Sequence, residues 1–191
     1  MTRSPSPSPS LFGTASRTGR GLRAALAVAA LAGACLALPA APASAATPKI
    51  MIQSGAFRGY KLCASDEDQY LHLKPIMAAD AFCTWRQWGS SSQFTLYNAA
   101  KDQVMAYTGG NEGLVVMEDP GTSPLGANGE LWSWGGEEGW GASALQSFSD
   151  SGQNVDAKSP GDQDVPRTDP VRTRGWRHGY QRELTWSPIA L

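Results

Sequence analysis

The chain has 191 residues, 16 Lys+Arg against 17 Asp+Glu, three cysteines and seven tryptophans, for a net charge of −1. A near-neutral chain lacks the basic footprint that displaces counterions from phosphates, so a nucleic-acid partner is not expected. The one basic cluster, RTDPVRTRGWR at 167–177, reads as a solvated loop.

Residues 1–45 carry four arginines and no acid. Arg23 precedes an unbroken apolar run, AALAVAALAGACLAL (24–38), and then PAAPASA. A basic leader, a short apolar stretch and small residues at Ala43 and Ala45 form the pattern of a secretory signal peptide. The run is shorter than the ~20 apolar residues of a membrane helix. Cleavage after Ala45 is expected, leaving 146 residues (46–191) with 12 basic and 17 acidic groups, a net −5. A secreted protein follows, with no membrane span in the mature form. The alternative is a lipid anchor on Cys35 in LAGAC, where the leucine stands one place too far upstream.

With the leader gone, Cys63 and Cys83 remain. An even pair in an oxidising compartment is expected to form one disulfide. A zinc site with His72 is the alternative, but a fourth ligand is missing.

Beyond the leader the sequence is a succession of short β-rich runs broken by Gly, Ser, Asp and Pro: KIMIQ, YKLCAS, YLHLK, QFTLYN, QVMAY, GLVVMED, LWSW, ALQSF, NVDAK and ELTW. Leu71 and Leu73 alternate with His72 and Lys74, as in a strand with one buried face. Many short strands separated by turn signals predict an all-β barrel or sandwich in a single domain. Trp85, Trp88, Trp140 and Trp176 fall beside turns.

Three blocks can be laid over one another: KLCASDEDQYLHLKP (61–75), VMAYTGGNEGLVVMEDP (104–120) and LQSFSDSGQNVDAKSP (145–160). Each reads as strand, polar turn, strand and proline. The triplets F-T-L at 94, W-S-W at 132 and L-T-W at 184 then place paired bulky groups on one strand face, with Thr95, Ser133 and Thr185 on the other. Three equivalent strands sending Phe94, Trp132 and Leu184 to one axis would build a threefold core. Three repeats of strand and turn predict the β-trefoil.

The segment CASDEDQYLHLKP…CTWRQW resembles a repeat of the ricin-type lectin family, whose last strand carries Gln-x-Trp. Here the Trp position is expected at Phe94, Trp132 and Leu184, and the Gln position at Ser92, Glu130 and Arg182. The resemblance implies carbohydrate binding by a non-enzymatic module. The family's sugar-contacting aspartate follows the first cysteine position by two residues. That place is Ser65 with Asp66 beside it, then Thr108 (or Gly109, if the turn insertion falls earlier), then Asp150 if Phe148 takes the place of Cys63. Trp85 or Trp88, and Trp176, are the expected aromatic partners of Asp66 and Asp150.

Catalytic patterns are lacking: there is no G-x-S-x-G, no H-E-x-x-H and no phosphate-cradling glycine loop. No cofactor or metal is expected. The competing expectation is a protein–protein module, such as a protease inhibitor or a subunit of a secreted assembly. It would act through SPGDQDVPRTDPVRTRG (159–175), a stretch without apolar period that reads as a long recognition loop.

Overall fold

The computed structural model describes residues 47–135, 143–159, 165–168, 170–176 and 181–191. Among the described residues twelve strands follow one another. They are β1 (Lys49–Ser54), β2 (Tyr60–Ala64), β3 (Leu71–Pro75), β4 (Trp85–Gly89), β5 (Phe94–Asn98), β6 (Gln103–Tyr107), β7 (Val115–Glu118), β8 (Trp132–Gly135), β9 (Ser143–Ser147), β10 (Gln153–Asp156), β11 (Arg172–Gly175) and β12 (Thr185–Ala190). The pairs β1–β4, β4–β5, β5–β8, β8–β9, β9–β12 and β12–β1 close a ring of six strands, all antiparallel. Closure leaves that ring without an exposed edge.

The other six strands form three hairpins, β2–β3, β6–β7 and β10–β11, each joined to the ring through β1, β5 or β9. The hairpins are tied to one another in a cycle. Met117 N donates to Gln69 O (2.7 Å), Val115 N to Val171 O (3.1 Å) and Val171 N to Leu71 O (2.7 Å). A six-stranded barrel with three hairpins in three repeats is the expected β-trefoil.

The register fixes which residues are equivalent. Gln53 faces Lys61, Tyr97 faces Val104, and Gln146 faces Asn154. One residue before the first of each pair stands Ile52, Leu96 or Leu145, and one after the second stands Leu62, Met105 or Val155. All six are fully buried. The indole Nε1 of Trp85 donates to Leu62 O, that of Trp132 to Met105 O and that of Trp186 to Val155 O, each at 2.9 Å. Three buried tryptophans making the same bond to equivalent strands define the pseudo-threefold core. Each fills a large volume and satisfies its one polar atom.

The expected triad is corrected accordingly. Phe94 and Trp132 are not symmetry mates but opposed neighbours across β5–β8. Leu184 is buried but ends a 3₁₀ turn, Arg182–Leu184, rather than standing in a strand. The equivalent triplets are Cys83-Thr84-Trp85, Glu130-Leu131-Trp132 and Leu184-Thr185-Trp186. Each follows a short 3₁₀ turn, over Ala81–Cys83, Gly126–Glu130 and Arg182–Leu184. The tryptophan of the motif is therefore present in all three repeats.

The residue two places before each tryptophan holds its 3₁₀ turn by a different chemistry. Cys83 is disulfide-bonded to Cys63 in β2, the expected pairing. Glu130 Oε1 accepts from Gly121 N (2.7 Å) and Ser123 N (3.2 Å). Leu184 contributes apolar burial, and beside it Glu183 accepts from Arg174 of β11 (2.7 Å), which also binds Asp156 of β10 (3.0 Å).

Replacing both cysteines, Cys63→Ala with Cys83→Ala, is expected to cost about 3 kcal/mol through the entropy of the 20-residue loop. In a thermal melt the midpoint should fall by roughly 10 °C. A reductant should shift the native protein but not the variant.

The stretch 159–175 is not a free loop. Arg172–Gly175 is a strand paired along β10, Val171 is fully buried, and Leu73 N donates to Arg167 O (3.0 Å). Residues 160–164 and 169 of that stretch lie outside the described residues.

Candidate functional site

Around the aspartate position expected in the first repeat, the neighbours of Asp66 are held by internal bonds. Ser65 Oγ accepts from the amides of Glu67 and Asp68, both at 3.2 Å, closing the β2–β3 turn. Asp68 Oδ1 accepts from Tyr70 N (2.8 Å), the main cause that holds its carboxyl below the usual range. Lys101 Nζ reaches across from the β5–β6 turn to Ser65 O (2.9 Å) and Asp68 O (2.5 Å). Asp66 is exposed and pairs with Lys74 at 3.8 Å; the same lysine binds Asp80 at 2.7 Å. Burial pushes Asp80 up, but the bonds from Lys74 and Phe82 N outweigh it and leave the group below its ordinary value. His72 Nδ1 lies 2.9 Å from Thr168 O, so the imidazole braces the two segments.

Trp85, expected as an aromatic contact for sugar, is instead fully buried and bonded to Leu62 O, because its side chain points into the barrel. Asp150 is also corrected in its place. The register sets Asp156, not Phe148, level with Cys63, so two residues further on stands Lys158. Asp150 belongs to the β9–β10 turn, where its Oδ1 accepts from Gly152 N (3.0 Å). Its charge adds to burial in raising the hydroxyl pKa of Tyr107. Trp176 is 37% exposed and follows β11. Trp140 lies outside the described residues.

Trp88 stands out among the expected aromatics. It is 42% exposed near the end of β4, and its ring stacks on Tyr97 with centroids 4.4 Å apart and planes 16° from parallel. The register explains the contact: Trp88 opposes Thr95 and Arg86 opposes Tyr97, which puts Trp88 and Tyr97 diagonally on one outward face. Tyr97 is held in turn by its hydroxyl, which donates to Asp102 Oδ1 (2.5 Å); this bond, before burial, raises its pKa. Gly89 follows Trp88 at φ +126°, and a Cβ there would meet Gln93 O at 2.3 Å, so only glycine lets β4 turn this tightly into β5.

Trp88 lines an open cleft of about 640 Å³ with Thr47, Pro48, Ile50, Gln87 and Gly89. Neither Asp66 nor Asp150 belongs to that lining. Gln87 Oε1 is fixed by the indole N–H of Trp134 (2.9 Å), which itself packs on Phe94 with centroids 5.2 Å apart. That single bond leaves the Gln87 amide nitrogen, 3.4 Å from Ser90 O, as a weakly held donor in the cleft.

The threefold register marks this face as a departure from the scaffold. Counting from the buried tryptophans, Arg86 has Ser133 and Ser187 as its counterparts, and Trp88 has Gly135 and Ile189. Tyr97 corresponds to Gln53 and Gln146. A core device repeats three times, whereas among the described residues a Trp–Tyr stack is found at this face alone. Arg86, Gln87 and Tyr97 were not singled out from the sequence. Aligning the three segments that follow the buried tryptophans would have found them.

Among the described residues no three His, Cys, Asp or Glu are grouped to hold a metal ion, and no helix is long and apolar enough to cross a membrane. No protein-family model matches the sequence, and no curated protein matches it. Solved structures do. The chain is similar to the designed 3-fold symmetric protein ThreeFoil, with a TM-score of 0.60 at 11% identity over 75% of this chain and 99% of that one. It is similar to the Macrolepiota procera ricin B-like lectin in complex with lactose (0.57, 18%, 75% and 95%). A mosquitocidal holotoxin also matches (0.61, 12%), over 75% of this chain but only 16% of the toxin. With twelve strands described in three equivalent repeats and a buried tryptophan closing each, the chain folds as a β-trefoil.

Proposed function

We propose that the chain is a secreted, non-catalytic carbohydrate-binding module that holds its ligand at the Trp88 face. The observation that carries this reading is the exposed Trp88 ring, stacked on Tyr97 and bordering a cleft with Gln87. A flat aromatic covers the apolar face of a pyranose, and a few fixed polar groups orient its hydroxyls. Stacking on Tyr97 sets the ring before a ligand arrives, which reduces the ordering cost of binding. The lactose named with the Macrolepiota lectin belongs to that protein and supports the class of ligand only.

Secretion rests on the leader; intact mass of exported protein should report an N-terminus at Ala46, whereas a lipid anchor on Cys35 would give a heavier, membrane-held product. A protein–protein role through 159–175 is less well supported, because part of that stretch is strand and core.

Trp88→Ala is expected to weaken polysaccharide binding by at least about tenfold, or ~1.4 kcal/mol. Its melting point should stay within about 4 °C of the native value, since the ring is largely outside the core. Affinity electrophoresis through a panel of soluble polysaccharides, with Trp176→Ala in parallel, reads the result. Unchanged migration of Trp88→Ala in a gel that retards the native protein would remove Trp88 from the site.

A further inference from the structure

The strands that present Trp88 also bring two cations together. Lys49 of β1 directly opposes Arg86 of β4, one pair along from Ile50 and Trp85, which both point inward. Strand alternation therefore turns Lys49 and Arg86 outward, on the face that carries Trp88 and Tyr97. Lys49 is exposed and Arg86 half-buried. Like charges directly opposed in an antiparallel pair repel each other.

Asp102, which holds the Tyr97 hydroxyl, puts one carboxylate beside this face, but it makes no ion pair with either cation. Among the described residues no carboxylate forms an ion pair with Lys49 or Arg86, although the segment 46–191 holds 17 acids against 12 bases. Arg174, by contrast, has two carboxylates. The Nε of Arg86 is buried and makes no hydrogen bond. A buried donor without an acceptor is costly and uncommon. The buried Nε is out of a ligand's reach, but the two terminal nitrogens, which have no hydrogen-bond partner among the described residues, can grip a carboxylate with two parallel bonds.

We propose that this face selects an anionic polysaccharide, a chain whose sugar rings bear carboxylates. The free face of Trp88, backed by Tyr97, covers a ring while Arg86 and Lys49 take the carboxylates. The proposal rests on the carbohydrate-binding reading and adds the ligand's charge. It also accounts for the symmetry breaking: the counterparts of Arg86 are serines, so aromatic stack and cation occur in the same repeat and in no other.

The test measures affinity of the cleaved protein for polygalacturonate, alginate and hyaluronan, each beside its methyl-esterified form, which keeps the rings and removes the charge. The native protein should bind at least one of the three acids about tenfold to a hundredfold better than its ester, the range expected for charge-assisted bonds. That preference should shrink as salt rises. Lys49→Gln with Arg86→Gln should abolish the preference by bringing the affinity for each acid down to that for its ester. Because it relieves a like-charge pair, this variant should melt no lower than the native protein. Trp88→Ala should weaken binding to acid and ester alike. Equal binding of acid and ester, or a preference that survives in the double variant, would overturn the anionic assignment and leave polysaccharide binding standing. Binding to none of the six would overturn the assignment too, and binding to neutral polysaccharides alone would show which of the two readings had failed.

Discussion

Trp132→Ala is expected to destabilise the protein by about 4 kcal/mol, the range for emptying a fully buried aromatic site. For a domain of this size that lowers the melting point by roughly 15 °C. Two effects add. The cavity left beside Phe94 and Met105 cannot collapse, because barrel strands on either side are fixed by their ladders. Met105 O also loses its donor and stays buried. Trp132→Phe separates them: it keeps most of the volume but not the N–H, and should cost about 1–2 kcal/mol. Trp85→Phe and Trp186→Phe should behave alike, since their indoles make the same 2.9 Å bond in the other two repeats. A tryptophan whose replacement cost little would not belong to the threefold core.

Arg174→Met is the second large effect, about 3–5 kcal/mol at neutral pH, because it strands a buried charge. Asp156 is 5% exposed, and burial pushes its carboxyl pKa up against the pull of Arg174. Removing the guanidinium raises it further. A carboxyl whose folded pKa exceeds its unfolded value near 4 favours folding when protonated and opposes it as pH rises through the folded value. The penalty in Arg174→Met should therefore be largest at pH 7 and shrink towards pH 4, in urea titrations at both pH values. Adding Asp156→Asn should recover much of the loss at pH 7 and little at pH 4. A loss that is the same at both pH values would mean that Asp156 is not the stranded group. Glu183 retains Lys158 at 3.8 Å and is the smaller contributor.

How far the sequence could be read depended on whether side chains advertise their strand. The hairpins of the first two repeats are legible because Leu71/Leu73 and the Val115–Met117 run keep an apolar face. β4 is hidden because Trp85-Arg86-Gln87-Trp88 has no apolar alternation: Trp85 fills the core and Trp88 faces outward. β11, Arg172-Thr173-Arg174-Gly175, carries no apolar residue at all. It buries Thr173, which bonds Gln153 Oε1 (3.1 Å), and pairs Arg174 with Asp156, so a run of arginines that looked solvated is built into the third repeat. Missing β11 shifted the third repeat by one strand and placed Asp150 where Lys158 belongs.

The same displacement moved the aspartate position of the third repeat. A motif two residues from a cysteine is only as good as the alignment that finds the missing cysteines, and Asp156 stands where one would be. Asp66 sits close to that position, exposed and 3.8 Å from Lys74, and does not line the Trp88 cleft. Trp88 was recognisable as an aromatic beside a turn. Its partners Tyr97 and Arg86 were not, because cross-strand neighbours depend on a register that β4 alone supplies.

One spectrum addresses fold and site together: the indole N–H signals of isotope-labelled protein, followed by hydrogen exchange and during titration with a bound polysaccharide. Trp85, Trp132 and Trp186 should exchange slowest and hold their positions, while Trp88 exchanges fast and moves with saturation. If Trp88 stays still while ligand binds, or if any of the three core indoles exchanges as fast as Trp88, the arrangement described above is wrong.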